Sequence, residues 1–318
     1  MATKTIRWVL SHHPLEIFLR AAKTFAHEVF QASNGELEVE ILNLEDYINK
    51  YNNGVSVGYP ELVEHLNTGK FEISQMYTTI LGKYATDMRV LDLPFLFTDN
   101  DHAARVLDGR IGRNILSGLA LNEQTNNIKG LSFTYSGGFT VIGVNKDINS
   151  IEDLAGLKLR VPTSPVIRDY FTELGTDPVM MMDIEEIATA MNSKAVDGAE
   201  ITYRRLYEFG VDVSVAQILH SNHNLFLTSI ILNTDFWNTL SQDMQTIISD
   251  AALVAARGER ADAIEDDVVH RAKCLDDGIV VKTMSAELEQ EFRDRSINVY
   301  TKYQDYFSPG LVNKIKSA

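Results

Sequence analysis

Residues 157–202 alternate strand-like and helix-like patterning, and that alternation leaves the chain few architectures. Leu157, Leu159 and Val161 form a short apolar run that fits a buried strand, and Pro162 stops it for want of an N–H. Ser164 before Pro165 reads as a helix N-cap with proline at the first helical position. Val166, Tyr170, Phe171 and Leu174 recur at helical spacing, and Gly175 stands where a left-handed residue closes the helix. A second strand follows over 177–181. Asp183 with Glu186 three residues on is a capping-box variant opening a second helix, with Lys194 in its last turn. Val196-Asp197-Gly198-Ala199-Glu200 closes the unit as a third strand or its turn. Such a succession predicts a parallel sheet with helices on its faces, whose ligands bind outside the carboxyl ends of the strands. Arg160 is placed there. Its planar guanidinium matches a carboxylate, so it is either a ligand clamp or half of a structural ion pair with Asp or Glu. Position alone leaves both open.

The flanking chain extends the pattern. Residues 5–10 predict a strand, 15–30 an amphipathic helix and 37–42 a second strand, together one βαβ unit. His12 and His13 lie in the loop at the first strand's carboxyl end and read as ordinary loop residues, since no third metal ligand is in view. A helix is expected over 60–66, a strand over 71–76 ending at Tyr77, an apolar segment over 91–97 and helices from Asp99 and Ile111. The strand 129–134 runs into Tyr135-Ser136-Gly137-Gly138-Phe139, where the glycine pair predicts a bend or crossover before 140–144. Beyond residue 202 come a helix over 203–209, strand character over 213–219, and the turn-like His220-Ser221-Asn222-His223-Asn224. Its H-x-x-H spacing is weaker evidence for metal than its composition is for a turn. A long apolar strand spans 225–233, and a proline-free helix runs over about 242–275, to be continued or broken at Gly258. A strand over 278–284, a helix capped by Ser285, and an aromatic tail (Tyr300, Tyr303, Tyr306, Phe307) end the chain.

Crossovers near 135–139 and 221–226 imply two discontinuous α/β domains. The expected division is 1–134 with 225–257, 135–224 with 258–290, and a C-terminal helical tail, 291–318, packing on them. The net charge of −15 disfavours nucleic acid and anionic membrane surfaces as partners, and makes each pocket arginine more informative about an anionic ligand. The single Cys274 permits no intrachain disulfide or thiolate zinc cluster and reads as a buried helix residue. No apolar run is long enough to span a bilayer. Neither a nucleophile elbow, a P-loop, a dinucleotide fingerprint nor H-E-x-x-H occurs, and no cofactor or metal is implied.

Several segments together resemble the solute-binding subunits of TRAP transporters (tripartite ATP-independent periplasmic systems for organic acids). They are Phe25-Ala26-His27-Glu28-Val29 with Asn34-Gly35, then Leu93-Pro94-Phe95-Leu96-Phe97 with Asp101-His102-Ala103. Asp153-Leu154-Ala155-Gly156-Leu157-Lys158-Leu159-Arg160-Val161-Pro162, Leu174-Gly175 and Pro178-Val179 match as well. Glu186 with Thr189-Ala190, Val196 to Glu200, and Phe236-Trp237 with Leu240-Ser241 complete the set. Each segment is loose; their order and spacing are specific. The resemblance implies a two-domain, periplasmic-binding-protein-like α/β architecture, with a ligand cleft between domains and a long helix spanning both. It implies that Arg160 clamps the carboxylate of an organic acid, by cleft closure, for delivery to a TRAP membrane permease. The expected location is the periplasm, with a leader removed, and the expected state a monomer.

Two departures from the family pattern bear on the ligand. Ile201-Thr202 stand where Asn-Pro is common, and Phe139-Thr140 where many members carry a second arginine. The candidate ligand-binding set is therefore Arg160, His13, Tyr77, Tyr135, Phe139, Asp183, Glu200, Ile201 and Tyr203. Its aromatic content points to a less polar or aromatic carboxylate rather than a sialic or uronic acid, unless those rings only pack the core. The alternatives are a cytoplasmic enzyme acting on an organic acid and a sensory binding protein.

Overall fold

The computed structural model describes residues 4–12, 16–181 and 186–318. In chain order the strands are β1 (Lys4–Leu10), β2 (Leu37–Leu42), β3 (Ile73–Tyr77), β4 (Ile128–Phe139), β5 (Val141–Val144), β6 (Lys158–Val161), β7 (Asp177–Met180), β8 (Gly198–Ile201), β9 (Gln217–His220), β10 (Leu225–Asn233) and β11 (Val280–Thr283). They build a five-stranded sheet, β2-β1-β3-β10-β4, and a six-stranded sheet, β11-β9-β5-β8-β6-β7. The chain divides into two compact α/β units. Unit 1 comprises Met1–Met88, Ala103–Ser136 and Leu227–Asp262; unit 2 comprises Arg89–His102, Gly137–Phe226 and Ala263–Ala318.

In unit 1, β1 runs parallel to β2 and β3, and β10 pairs antiparallel with β3. All nine residues of β10 are buried, as its unbroken apolar run requires of a strand covered on both faces. The helix Glu16–Ala32 lays Ile17, Phe18, Ala21, Ala22, Phe25 and Val29 into the core, and Phe25 meets Trp8 edge-on at 5.0 Å. In unit 2, β6 is parallel to β7 and β8, as the central stretch predicts. Its sheet is nevertheless mixed, because β5 lies antiparallel to both β8 and β9. The helix Pro165–Glu173 has proline in its first turn and buries Val166, Tyr170 and Phe171; Gly175 takes φ +87° beyond its end.

Several elements differ from expectation for local reasons. Ser164 precedes its helix but does not cap it, because its hydroxyl donates to Asp92 Oδ2 at 2.6 Å. Lys194 lies past its helix at φ +60°, not in the last turn. Asp212–Ser214 is a 3-10 turn, so strand β9 starts only at Gln217. A helix over Leu44–Tyr51, capped by the Asn43 side chain on Asp46 N, follows β2. Helix Gln242–Asp276 runs its 35 residues unbroken through Gly258, a residue that costs a helix interior only about 1 kcal/mol. Its residues up to Asp262 belong to unit 1 and the remainder to unit 2. Segment Arg89–His102 groups with unit 2, as does the entire C-terminal tail. Its hydrogen bonds explain the grouping: Phe95 N donates to His223 O at 2.7 Å, and His102 Nε2 meets Ile315 O at 2.7 Å.

Candidate functional site

Arg160 sits near the end of β6 and is buried in unit 2. Its position follows from the register of the parallel pair, in which Leu159 lies beside Gly198 and Arg160 beside Ala199. Asp197 locks that register from below. Its main-chain N–H donates to Lys158 O at 2.7 Å, and its carboxylate accepts from Lys158 N at 2.9 Å. Gly198 is required by the close approach of β5, since a Cβ there would stand 2.3 Å from Gly143 O. With the strands so held, Arg160 Nη1 donates to Glu200 O at 3.3 Å and Nη2 to Met181 O at 2.9 Å. Both acceptors are main-chain carbonyls, so these bonds orient the guanidinium.

The Glu200 side chain is the centre of a buried polar group in the same unit. Its Oε1 accepts from Thr140 Oγ1 at 3.0 Å and meets His223 Nε2 at 3.2 Å. Its Oε2 is buried and has no hydrogen-bond partner among the described residues. His223 is oriented from its other nitrogen by Ser221 Oγ at 2.7 Å, and its ring packs on Tyr170 and Phe171. Asn224 O accepts from Thr140 N at 2.8 Å, and Asn224 Nδ2 donates to Asp92 O at 3.3 Å. Asp92 is fully buried. Loss of hydration pushes its carboxyl up to about 6, against the hydrogen bond from Ser164 and the Arg89 guanidinium 4.0 Å away, with the charge of Glu200 adding to the rise. Thr202 Oγ1 is a further buried hydroxyl with no partner among the described residues, and a Cβ on Gly137 would stand 2.4 Å from it. Gly137 also takes φ +104°, so the glycine bend serves both backbone conformation and space.

Of the candidate ligand residues, Arg160 and Glu200 are thus brought together. Phe139, at the end of β4, is half-buried and precedes Thr140 of the same group. Ile201 is buried in the apolar core of unit 2. Tyr203 belongs to that core too, and its hydroxyl meets His220 Nδ1 at 2.9 Å. Burial lowers the His220 imidazole to about 4, helped by the charge of Arg271. In unit 1, Tyr77 packs on His12 with centroids 3.6 Å apart and the rings tilted by 37°, and His12 Nδ1 meets the Tyr59 hydroxyl at 3.0 Å. Tyr135, buried on β4, has the Arg260 guanidinium 6.0 Å from its ring centroid. His13 and Asp183 lie outside the described residues. Among the described residues, no group of three or more His, Cys, Asp or Glu could hold a metal ion.

Asp92, Arg89, Thr140, Ser164 and His223 were not singled out as ligand-site residues from sequence. One signal existed: Asp92 interrupts the apolar run Leu91-Asp92-Leu93, and a carboxylate enclosed by apolar neighbours is a buried carboxylate. The sequence sets His223 in a turn rather than on a metal, and its partners here are a carboxylate and two hydroxyls.

Residues 10–305 match the family described as DctP, bacterial extracellular solute-binding protein, family 7. The chain belongs to this family. It is a TRAP solute-binding subunit, working on the periplasmic side of the membrane with a TRAP permease. A cytoplasmic or sensory role finds no support in these relationships. Among curated relatives, the C4-dicarboxylate-binding protein DctB of Bacillus subtilis is 25% identical over 93% of this chain and 81% of its own. The structure of a TRAP periplasmic solute-binding protein from Pseudomonas putida F1 with bound D-glucuronate matches with a TM-score of 0.85 and 25% identity, covering 99% of this chain and 97% of that one. One from Sulfurospirillum deleyianum with bound succinate matches with a TM-score of 0.82 and 25% identity, covering 100% and 99%. The two-domain α/β fold of this TRAP subunit is therefore that of the family, and no helix among its described residues is long and apolar enough to cross a membrane.

Proposed function

We propose that this TRAP subunit captures a small organic carboxylate at Arg160 in unit 2 and releases it chemically unchanged. The observation that carries the reading is the setting of Arg160, a buried guanidinium oriented by two main-chain carbonyls. A carboxylate meeting a pre-oriented, desolvated guanidinium gains a charge-assisted, two-pronged hydrogen bond at little further entropic cost. Glu200, Thr140 and His223 complete the environment by offering acceptors and donors to the hydroxyls of an acid. The similarity to proteins holding glucuronate and succinate supports a ligand of that size class. Half-buried Phe139, in the same unit, supports a ligand body less polar than a sugar acid.

A melting-temperature screen against C4-dicarboxylates, sugar acids and aromatic carboxylates tests the class. Binding only the folded state raises the transition by an amount set by RT ln(1 + [L]/Kd). Aromatic acids stabilising more than uronic acids supports the less polar ligand, and the reverse order removes it. Recovery of the bound acid unaltered, by NMR of the released ligand, distinguishes capture from turnover.

A further inference from the structure

Unit 2 contains a groove of about 530 Å³ between helix Ala286–Tyr303 and the tail helix Leu311–Lys316. Phe95, Ile297, Phe307 and Leu311 supply its apolar wall. Among the described residues its charged lining side chains are Arg293 and Lys316, in a chain whose net charge is −15. The Arg293 guanidinium stands 4.3 Å from the Phe95 ring centroid, and Lys316 Nζ 3.8 Å from that of Tyr300. Arg293 also pairs with Glu289 at 2.7 Å, whereas no carboxylate pairs with Lys316 among the described residues. Partial burial lowers the pKa of the Lys316 ammonium, which an anion nearby would restore.

The wall is also held in place from within the unit. Phe95 takes φ +53°, a left-handed conformation that costs a bulky residue about 1–3 kcal/mol and persists only when its surroundings impose it. Two hydrogen bonds impose it here: Phe95 N to His223 O at 2.7 Å, and the Tyr300 hydroxyl to Pro94 O at 2.9 Å. A strained aromatic wall and two cations, with no acidic lining side chain among the described residues, are the composition of a ligand pocket rather than of a surface dent.

We propose that this groove is a second binding site, for an amphipathic organic anion. Its alkyl or aryl body packs on Phe95, Ile297, Phe307 and Leu311, and its carboxylate or sulfonate is held by Arg293 and Lys316. The site uses neither Arg160 nor Glu200, so it stands apart from the carboxylate site proposed above.

The test is a fluorescence titration with anilinonaphthalene sulfonate, with decanoate as competitor, on the whole chain. The expected result is saturable one-to-one binding displaced by decanoate. Arg293→Glu with Lys316→Glu should weaken it by at least about tenfold, since two attractions become repulsions. Arg160→Ala should leave it unchanged. Should the double variant not fold, Lys316→Ala serves alone, with an expected loss of about threefold, because it removes one of the two cations, and Lys316 makes no ion pair among the described residues whose loss would unfold the chain. Undiminished affinity in a folded variant, non-saturable binding, or loss of binding in Arg160→Ala overturns the assignment.

Discussion

Each unit buries a glutamate among hydroxyls, but the two are surrounded differently. In unit 1, Glu259 meets Gln75: Nε2 lies 2.8 and 3.0 Å from the two carboxyl oxygens, and 2.8 Å from both Thr134 Oγ1 and Thr228 Oγ1. Burial raises its carboxyl well above the usual range; Gln75 and the charges of Arg260 and Arg20 oppose the rise and Asp262 adds to it. The cluster is therefore biased toward a neutral acid among neutral groups. In unit 2, Glu200 lies beside His223, and its carbonyl receives Arg160. A mutually bonded cluster biased toward neutrality fixes a core, although Gln75 Oε1 has no hydrogen-bond partner among the described residues. In unit 2 the oriented guanidinium, with Glu200 Oε2 also lacking a hydrogen-bond partner among the described residues, makes the cluster the better candidate to receive a ligand. The difference predicts that substitutions in unit 2 change binding and its pH dependence, while matched ones in unit 1 change neither.

The largest effect is expected at Arg160. Arg160→Ala should lower affinity for the cognate carboxylate by about 100-fold or more, and Arg160→Lys should not rescue it, because the planar fork is lost. Calorimetric titration reads this, and wild-type affinity in either variant would remove Arg160 from the site. Glu200→Gln should come next, with about a tenfold loss of affinity and about 1–3 kcal/mol of stability, since an amide replaces the carboxyl group that meets Thr140 and His223. Urea unfolding monitors the second part.

Asp92 gives the comparison a pH axis. Its folded pKa of about 6 lies above the ordinary 3.8, so its contribution to stability is fully present below about 3.8 and is lost as pH rises through about 6. Asp92→Asn should accordingly raise stability by about 1–3 kcal/mol at pH 8 and by nearly nothing at pH 3.5. Equal effects at the two values would show that Asp92 does not titrate with folding. The smallest effect belongs to unit 1. Glu259→Gln preserves shape and neutrality, so it should change stability by about 1 kcal/mol or less near neutral pH and leave ligand affinity untouched. A tenfold affinity change there would erase the distinction between the two clusters.

The elements were legible wherever one rule sufficed. Proline at the start and glycine at the end delimit Pro165–Glu173, and the Ser285 side chain caps Ala286–Tyr303 by accepting from Leu288 N, as read from sequence. Arg160 was legible because a strand exit is a position that local patterning can find. What local patterning could not find were partners distant in sequence. Ser164 looks like a cap until Asp92, 72 residues earlier, claims its hydroxyl. Ile201 occupies a place where a polar contact was expected, yet it lies on a buried strand and is drawn into the apolar core. The mixed direction of unit 2's sheet was hidden for the same reason, since β5 pairs with β8 and β9 only after the chain has returned.

The threading of the two units has a consequence for how the chain comes into being. Strand β10 lies between β3 and β4 in unit 1's sheet, yet residues 140–224 separate it from β4 and belong to unit 2. A chain growing from its N-terminus therefore holds two incomplete sheets until residue 233 has been made, and unit 2 still awaits β11 and its tail. Contacts of such long sequence separation form slowly. The native state is thus withheld from every shorter intermediate, and nearly the whole polypeptide must emerge before either half can close its core.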